Sequence, residues 1–282
     1  MKHTYLLFIL PIALAIFGCN QQPRHPQAEL IQQASATAMT DKSILQYVDS
    51  IQANLASLEK QSSLIYLQGE QSMYVEKYNS NGKPVLYEEN IDNKLISNRI
   101  RRYYLKNDSL ILLEERTKDN KGITELRRYF RNNIAFKQEK RTAAEESGLK
   151  KQAYATITSG SSEENTAPTD TEQASTTQTA SKEVQQLKIM EDAIAQNGSF
   201  TLYFDQFIDI PEESIIQLKS NARNGYTANV IVRKNDALTD SLQHQAEEFK
   251  NKRLNFKWVI ADKEAVYVPV AANVTSAKGL NK

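Results

Sequence analysis

The chain predicts an α+β protein: an N-terminal helix packed on an antiparallel β-meander with hairpin repeats of about 26 residues, then a second small α+β domain. Three observations carry this. An apolar stripe of helical spacing lies at residues 41–60, short runs of strand-forming residues follow between Asn, Asp and Gly turn signals, and a Ser/Thr-rich stretch then separates them from a second set of elements.

From Asp41 to Lys60, Ile44, Val48, Ile51, Leu55 and Leu58 recur at spacings of four and three. Such a stripe covers a sheet or forms a coiled coil, and the strands directly behind it favour the sheet. Thr40 or Asp41 can cap the first turn by accepting a free backbone N–H. Strands are expected at Leu64–Gly69, Ser72–Asn79, Pro84–Asn90, Ser97–Lys106, Ser109–Thr117, Ile123–Arg131 and Ile134–Arg141. The turns between them are Asn81-Gly82, Asp92-Asn93, Asn107-Asp108, Asn120-Lys121-Gly122 and Asn132-Asn133, residue types that tolerate the positive φ of tight hairpins.

Tyr78, Tyr104 and Phe130 stand 26 residues apart, each shortly before an Asn-containing turn. RRYYLKNDSLILLEERT at Arg101–Thr117 matches RRYFRNNIAFKQEKRT at Arg127–Thr142. Each unit reads as a hairpin that must stack on its neighbours to bury a face. The pattern loosely resembles the short hairpin repeats of MORN-like proteins, without most of their glycines, and implies no function here.

Residues 143–181 read as a disordered linker. SGSSEENTAPTDTEQASTTQTAS offers no aromatic or branched aliphatic side chain with which to fold, and its hydroxyls could carry O-glycans. Residues 182–282 then form the second domain. A helix from Lys182 to Gln196 shows Val184, Leu187, Met190 and Ile194. Strands follow at Ser199–Phe204, Ile215–Leu218 and Thr227–Arg233. Asp236 caps a helix reaching Lys252 with Leu238, Leu242 and Phe249 inward, and Phe256–Ala261 and Ala265–Val270 close a hairpin through Asp262-Lys263.

Composition narrows the chemistry. Lys and Arg number 35 against 34 Asp and Glu, so no global field draws nucleic acid, and none is expected as a partner. The histidines are His3, His25 and His244, too dispersed for a multi-histidine metal site, and the one cysteine allows no disulfide within the chain. Asp240, Ser241 and His244 share a helical turn but lack the strand-to-helix elbow of a hydrolase serine. Glu212 and Glu213 diverge as neighbours and suit a loop or helix start better than a carboxylate pair. No phosphate-binding, dinucleotide-binding, zinc-protease or calcium-loop motif occurs, so no cofactor and no enzymatic activity are expected.

Two candidate binding surfaces remain. Arg99, Arg101, Arg102, Arg127, Arg128 and Arg131 lie close in the meander and could form a face for an anionic ligand. Glutamates 88, 89, 114, 115, 125 and 139 interleave with them, and with Asn107-Asp108 as a two-residue turn Arg101 should face Glu114, and Tyr103 should face Leu112. Trp258, flanked by Phe256 and Ile260, is either core or a sugar-stacking platform.

Residues 1–19, MKHTYLLFILPIALAIFGC, combine a basic start, an apolar run too short to span a bilayer, a small residue and the only cysteine. Ile16-Phe17-Gly18-Cys19 resembles the lipobox of bacterial lipoprotein precursors. The resemblance implies a signal peptide at 1–18, cleaved between Gly18 and Cys19, with Cys19 bearing diacylglycerol and an N-acyl chain such as palmitate. Residues 19–40 would then be a flexible tether of about 25 Å. Asn20 and the acid-free QQPRHPQ behind it point, by the same resemblance, to the outer membrane facing the periplasm, with surface display the alternative. The role this suggests is non-enzymatic binding or scaffolding at the envelope, with a protein partner or glycan. Alternatives are a carrier holding a hydrophobic ligand against the meander, and an enzyme with a motif-free site.

Overall fold

The structure, a computed structural model, describes residues 39–93, 97–157 and 171–270, and of residues 171–181 the backbone alone. The expected signal peptide, Cys19 and nearly all of the expected tether lie outside them, as do the central part of the expected linker and the last residues of the second expected domain.

Helix α1 spans Asp41–Ala53 and is capped by Thr40, whose hydroxyl accepts from the Ser43 N–H. Ile44, Val48 and Ile51 are its buried stripe. It stops short of Lys60: a 3-10 turn at Leu55–Ser57 breaks it, and β1 (Glu59–Ser62) begins instead. There the backbone pairs with residues 76–79 of β3. The meander comprises β2 (Tyr66–Gln68), β3 (Gln71–Ser80), β4 (Lys83–Asn93), β5 (Ser97–Lys106), β6 (Ser109–Asp119), β7 (Gly122–Arg131) and β8 (Ile134–Ala143). Asn81, Asn107, Asp108, Asn132 and Asn133 have φ between 50° and 61°, as the expected tight turns require. Asp92-Asn93, expected as a turn, instead extends β4.

Every second hairpin of the meander, β3–β4, β5–β6 and β7–β8, carries a bulge at the same place. In β5–β6 the pairing jumps from Leu105↔Leu110 to Tyr104↔Leu112, which leaves Ile111 as the extra residue. Val85 and Phe136 take the same role in β3–β4 and β7–β8. A bulge puts two consecutive side chains on one face. Ile111 and Leu112 accordingly both join the core under α1, with Tyr78, Leu86, Tyr104 and Tyr129. The bulge also corrects the expected register: Arg101 faces Glu115 and Tyr103 faces Leu113.

The interval read as a disordered linker is partly structured. Helix α2 covers Glu146–Leu149 and β9 (Ala155–Thr156) pairs with β8. Helix α3 starts at Thr171 and runs to Ala195. Its second half lies on the opposite face of the meander from α1, burying Met190 and Ala193, while Val184 stays exposed. The sheet face left open by the sequence reading therefore has a protein cover.

Behind α3 come β10 (Tyr203–Ile210), β11 (Glu213–Lys219), β12 (Thr227–Val232), helices α4 (Ala237–His244) and α5 (Ala246–Phe249), and hairpin β13 (Lys257–Ala261) and β14 (Glu264–Val268). The single helix expected from Asp236 to Lys252 is broken at Gln245, and Ser199–Phe204 begins as a 3-10 turn. These elements are the small α+β region expected behind the meander, and their strands continue its sheet. One sheet runs β10-β11-β12-β2-β3-β4-β5-β6-β7-β8-β9, with β14 added parallel to β12, and Met39–Lys282 is one compact unit. The short strand β2 lies against β3 and leaves its own outer edge with backbone N–H and C=O groups to satisfy, and β12 takes that edge at Thr227↔Leu67.

Candidate functional site

The six arginines do not converge. Side chains alternate across a strand, so neighbours in sequence face opposite ways. Arg102 and Arg127 stand on the α1 side in one cross-strand row, Glu88–Arg102–Glu114–Arg127–Glu139. Arg102 Nε lies 2.6 Å from Glu88, and Arg127 Nε 2.9 Å from Glu114. Arg99, Arg101 and Arg128 face the α3 side. Arg101 bonds Glu115 at 2.6 Å and approaches the buried Glu89, and Arg128 pairs with Glu183 of α3. Arg131 sits at the hairpin end, bonding the Met39 carbonyl and stacking 4.0 Å from the Phe136 ring. Charges of opposite sign meet along both faces, which leaves no common anion-binding face.

On the α3 side the charges fasten the helix. Gln186 donates to Glu89 at 2.7 Å, and Lys77 and the Tyr87 hydroxyl both reach Glu191. Burial pushes the Glu89 carboxyl above its ordinary range, against the lowering pull of Arg101, Arg99 and the Gln186 bond; Glu183 is raised for the same first reason, against Arg128. On the α1 side Tyr154 is held between Arg127 and Arg141, 4.2 and 4.4 Å from its ring, and donates to Glu125. Burial lifts this phenol to about 12. The space beside it, about 150 Å³, is lined by already paired arginines and glutamates.

Trp258 belongs to the core edge. Its indole N–H donates to the Ser63 carbonyl at 3.1 Å, and its ring meets Phe256 edge-on at 5.8 Å. Asp240, Ser241 and His244 lie on α4, where the Ser241 hydroxyl donates to the Ala237 carbonyl rather than to a base. Glu212 is in the tight turn between β10 and β11, and Glu213 opens β11.

A cleft of about 620 Å³, which the sequence does not announce, lies at the other end of the sheet region built by β10 and β11. Three separate segments build it: the start of β10 (Tyr203–Asp205), the loop after β11 (Lys219–Asn224) and the turn at Lys250-Asn251. The loop is pinned by Ser220 N–H to the Tyr226 carbonyl, Ala222 N–H to the Ser220 hydroxyl and Gly225 N–H to the Ala222 carbonyl. Gly225 must be glycine here, because a Cβ would come within 2.6 Å of the Ser220 side chain. The turn is clamped to β10 by Asn251 N–H to the Phe204 carbonyl and Phe204 N–H to the Lys252 carbonyl, both 2.9 Å. Asn224 and Asn251 take positive φ and hold the two rims sharp. The Asn224-Gly225 pair was the only local signal for this loop, and it marks a turn, not a site.

Comparison of the chain with protein-family models, with curated proteins and with solved structures returns no match.

Proposed function

We propose that this chain is a bacterial envelope lipoprotein, tethered to a bilayer through acylated Cys19 and acting as a non-enzymatic binding or scaffolding module. The observation that carries the reading is the order of Lys2, the apolar run Tyr5–Phe17, Gly18 and the only cysteine. Two or three acyl chains at about 0.8 kcal/mol per buried methylene anchor a protein stably where one does not. Among the described residues no helix is long and apolar enough to cross a membrane, so a lipid on Cys19 would supply the attachment. The outer membrane facing the periplasm is the proposed place, on the acid-free segment behind Cys19.

A binding role at the surface, with an envelope protein or glycan, is supported over an internal carrier. The two helices α1 and α3 occupy the two faces of the meander where a hydrophobic ligand would lie. The test is Cys19→Ser in the native membrane. Palmitate labelling should vanish, the precursor should stay uncleaved and the protein should leave the lipid-anchored fraction. Normal maturation and membrane sedimentation of the variant would overturn the reading.

A further inference from the structure

We infer that the cleft between Tyr203, the Lys219–Asn224 loop and Asn251 is a ligand site for an acidic saccharide, one bearing carboxylates on a polyhydroxylated ring. The inference deepens the binding role proposed above by naming its ligand class. Charge gives the first reason. Asp205 is the one carboxylate in the lining, and Lys250 already takes it, donating to its Oδ1 at 2.8 Å and to its carbonyl at 2.6 Å. Lys219 and Arg223 also line the cleft, and among the described residues neither has a carboxylate partner.

Arg223 is singled out by comparison. Among the described residues the other exposed arginines are all engaged: Arg131 on the Met39 carbonyl, Arg233 on Glu264, Arg253 on the Ala195 and Gln196 carbonyls. An unengaged arginine fork at the lining of a concavity can meet a carboxylate in two bonds.

The remaining lining suits hydroxyls. Asn221, Asn224 and Asn251 each offer a carbonyl acceptor and two N–H donors, the complement of a sugar ring's alternating groups. Tyr203 is half-buried and lines the wall, an aromatic side chain of the kind on which the apolar C–H side of a sugar packs. The rims are fixed by backbone bonds rather than by a ligand, so little ordering is needed on binding. A volume of about 620 Å³ holds two or three sugar rings, within the usual range of ligand pockets.

The experiment is calorimetric titration of the protein as its host produces it, purified in detergent micelles, with trigalacturonate, and with neutral maltotriose as its uncharged counterpart. Trigalacturonate should bind at least tenfold tighter than maltotriose, and Arg223→Ala should weaken it about tenfold or more, the scale of one lost charge-assisted bond. Arg223→Lys should recover part of that loss, and Lys118→Ala, far away on β6, none of it. Equal binding of the two sugars, no binding of either, or equal losses from Arg223→Ala and Lys118→Ala would each overturn the inference. None of these outcomes bears on whether Cys19 is acylated, which membrane sedimentation reads separately.

Discussion

Tyr66 donates its hydroxyl to the carbonyl of Ala193, 2.7 Å away and 127 residues later in the chain, and both residues are fully buried. The last turn of a helix leaves carbonyls without intrahelical partners. Here β2 supplies one, so the edge of the meander and the end of α3 are fastened by a single phenol. Tyr66→Phe keeps the ring and its contacts to Phe200 at 4.9 Å and Tyr226 at 5.5 Å. It leaves the Ala193 carbonyl with only a long 3.4 Å bond from Gln196. The expected cost is about 1–2 kcal/mol, read as a lower urea midpoint with an unchanged slope.

The same connection predicts how the protein unfolds. Trp258 is the only tryptophan, and it bonds the Ser63 carbonyl across the join between the C-terminal strands and the meander. A common core and one sheet imply one cooperative transition. Tryptophan fluorescence and far-ultraviolet circular dichroism should therefore trace coincident urea curves. A fluorescence transition that clearly precedes the loss of strand signal would mean that β10 to β14 melt as their own unit.

The meander was legible because its turns announce themselves: Asn and Asp at 107, 108, 132 and 133 adopt the positive φ that few other residues tolerate. Its register was not. Leu110-Ile111-Leu112-Leu113 is apolar throughout, so nothing in the run says which residue is extra, and one slipped place moved Arg101 from Glu115 to Glu114. Helix α3 was half legible, since Met190 and its neighbours show a stripe while Thr171–Ser181 carries no apolar residue larger than alanine. The arginine cluster failed as a site for a simple reason: proximity in sequence on a strand places alternate side chains on opposite faces. The cleft failed to show because its walls come from three segments with no shared motif.

Tyr103 is an internal weakness. The side chain is fully buried, yet its hydroxyl has no hydrogen-bond partner among the described residues. Burial holds the phenol far above its ordinary range, with Glu89 adding to it, so it stays protonated at any ordinary pH. An unsatisfied buried hydroxyl costs about 1–3 kcal/mol. Tyr103→Phe should accordingly be neutral or stabilise by about 1 kcal/mol, seen as an equal or higher melting temperature. A loss of stability would show that the hydroxyl has a partner, such as a buried water.

The bulges separate two outcomes for residues in equivalent positions. Ile111 is 7 % exposed in the core under α1, whereas Phe136, its counterpart one repeat later, is 38 % exposed. Ile111→Ala should cost about 2–4 kcal/mol through lost burial and a residual cavity. Phe136→Ala forfeits only its contacts with Tyr129 at 6.1 Å and Arg131 at 4.0 Å, about 1 kcal/mol. Equal losses in denaturation would show that the extra residue matters for strand geometry and not for what it buries.

Acid response should have two limbs of opposite sign. Asp236 caps α4 through the Leu238 and Thr239 N–H groups, and its other oxygen accepts from the Tyr267 hydroxyl at 2.7 Å and the Val270 N–H at 2.9 Å. Burial would raise its pKa, but these four donors together hold it below the usual aspartate value. A lowered folded pKa means stability that is complete above about pH 4, where the unfolded chain also ionises, and that is lost as pH falls through the folded value. Glu89 is the reverse case: burial raises it, so the native state binds a proton first and its ionised form is the costly one. Its contribution therefore improves as pH falls from neutrality through the raised value towards the ordinary glutamate range. Asp236→Asn cannot accept from both Tyr267 and Val270 through an amide nitrogen, so it should melt well below the parent at pH 7 and converge with it near pH 2. Glu89→Gln should instead compare best with the parent at pH 7 and fall behind as the parent gains on acidification. Parallel melting curves for either variant across the whole range would show that its carboxylate does not titrate with folding.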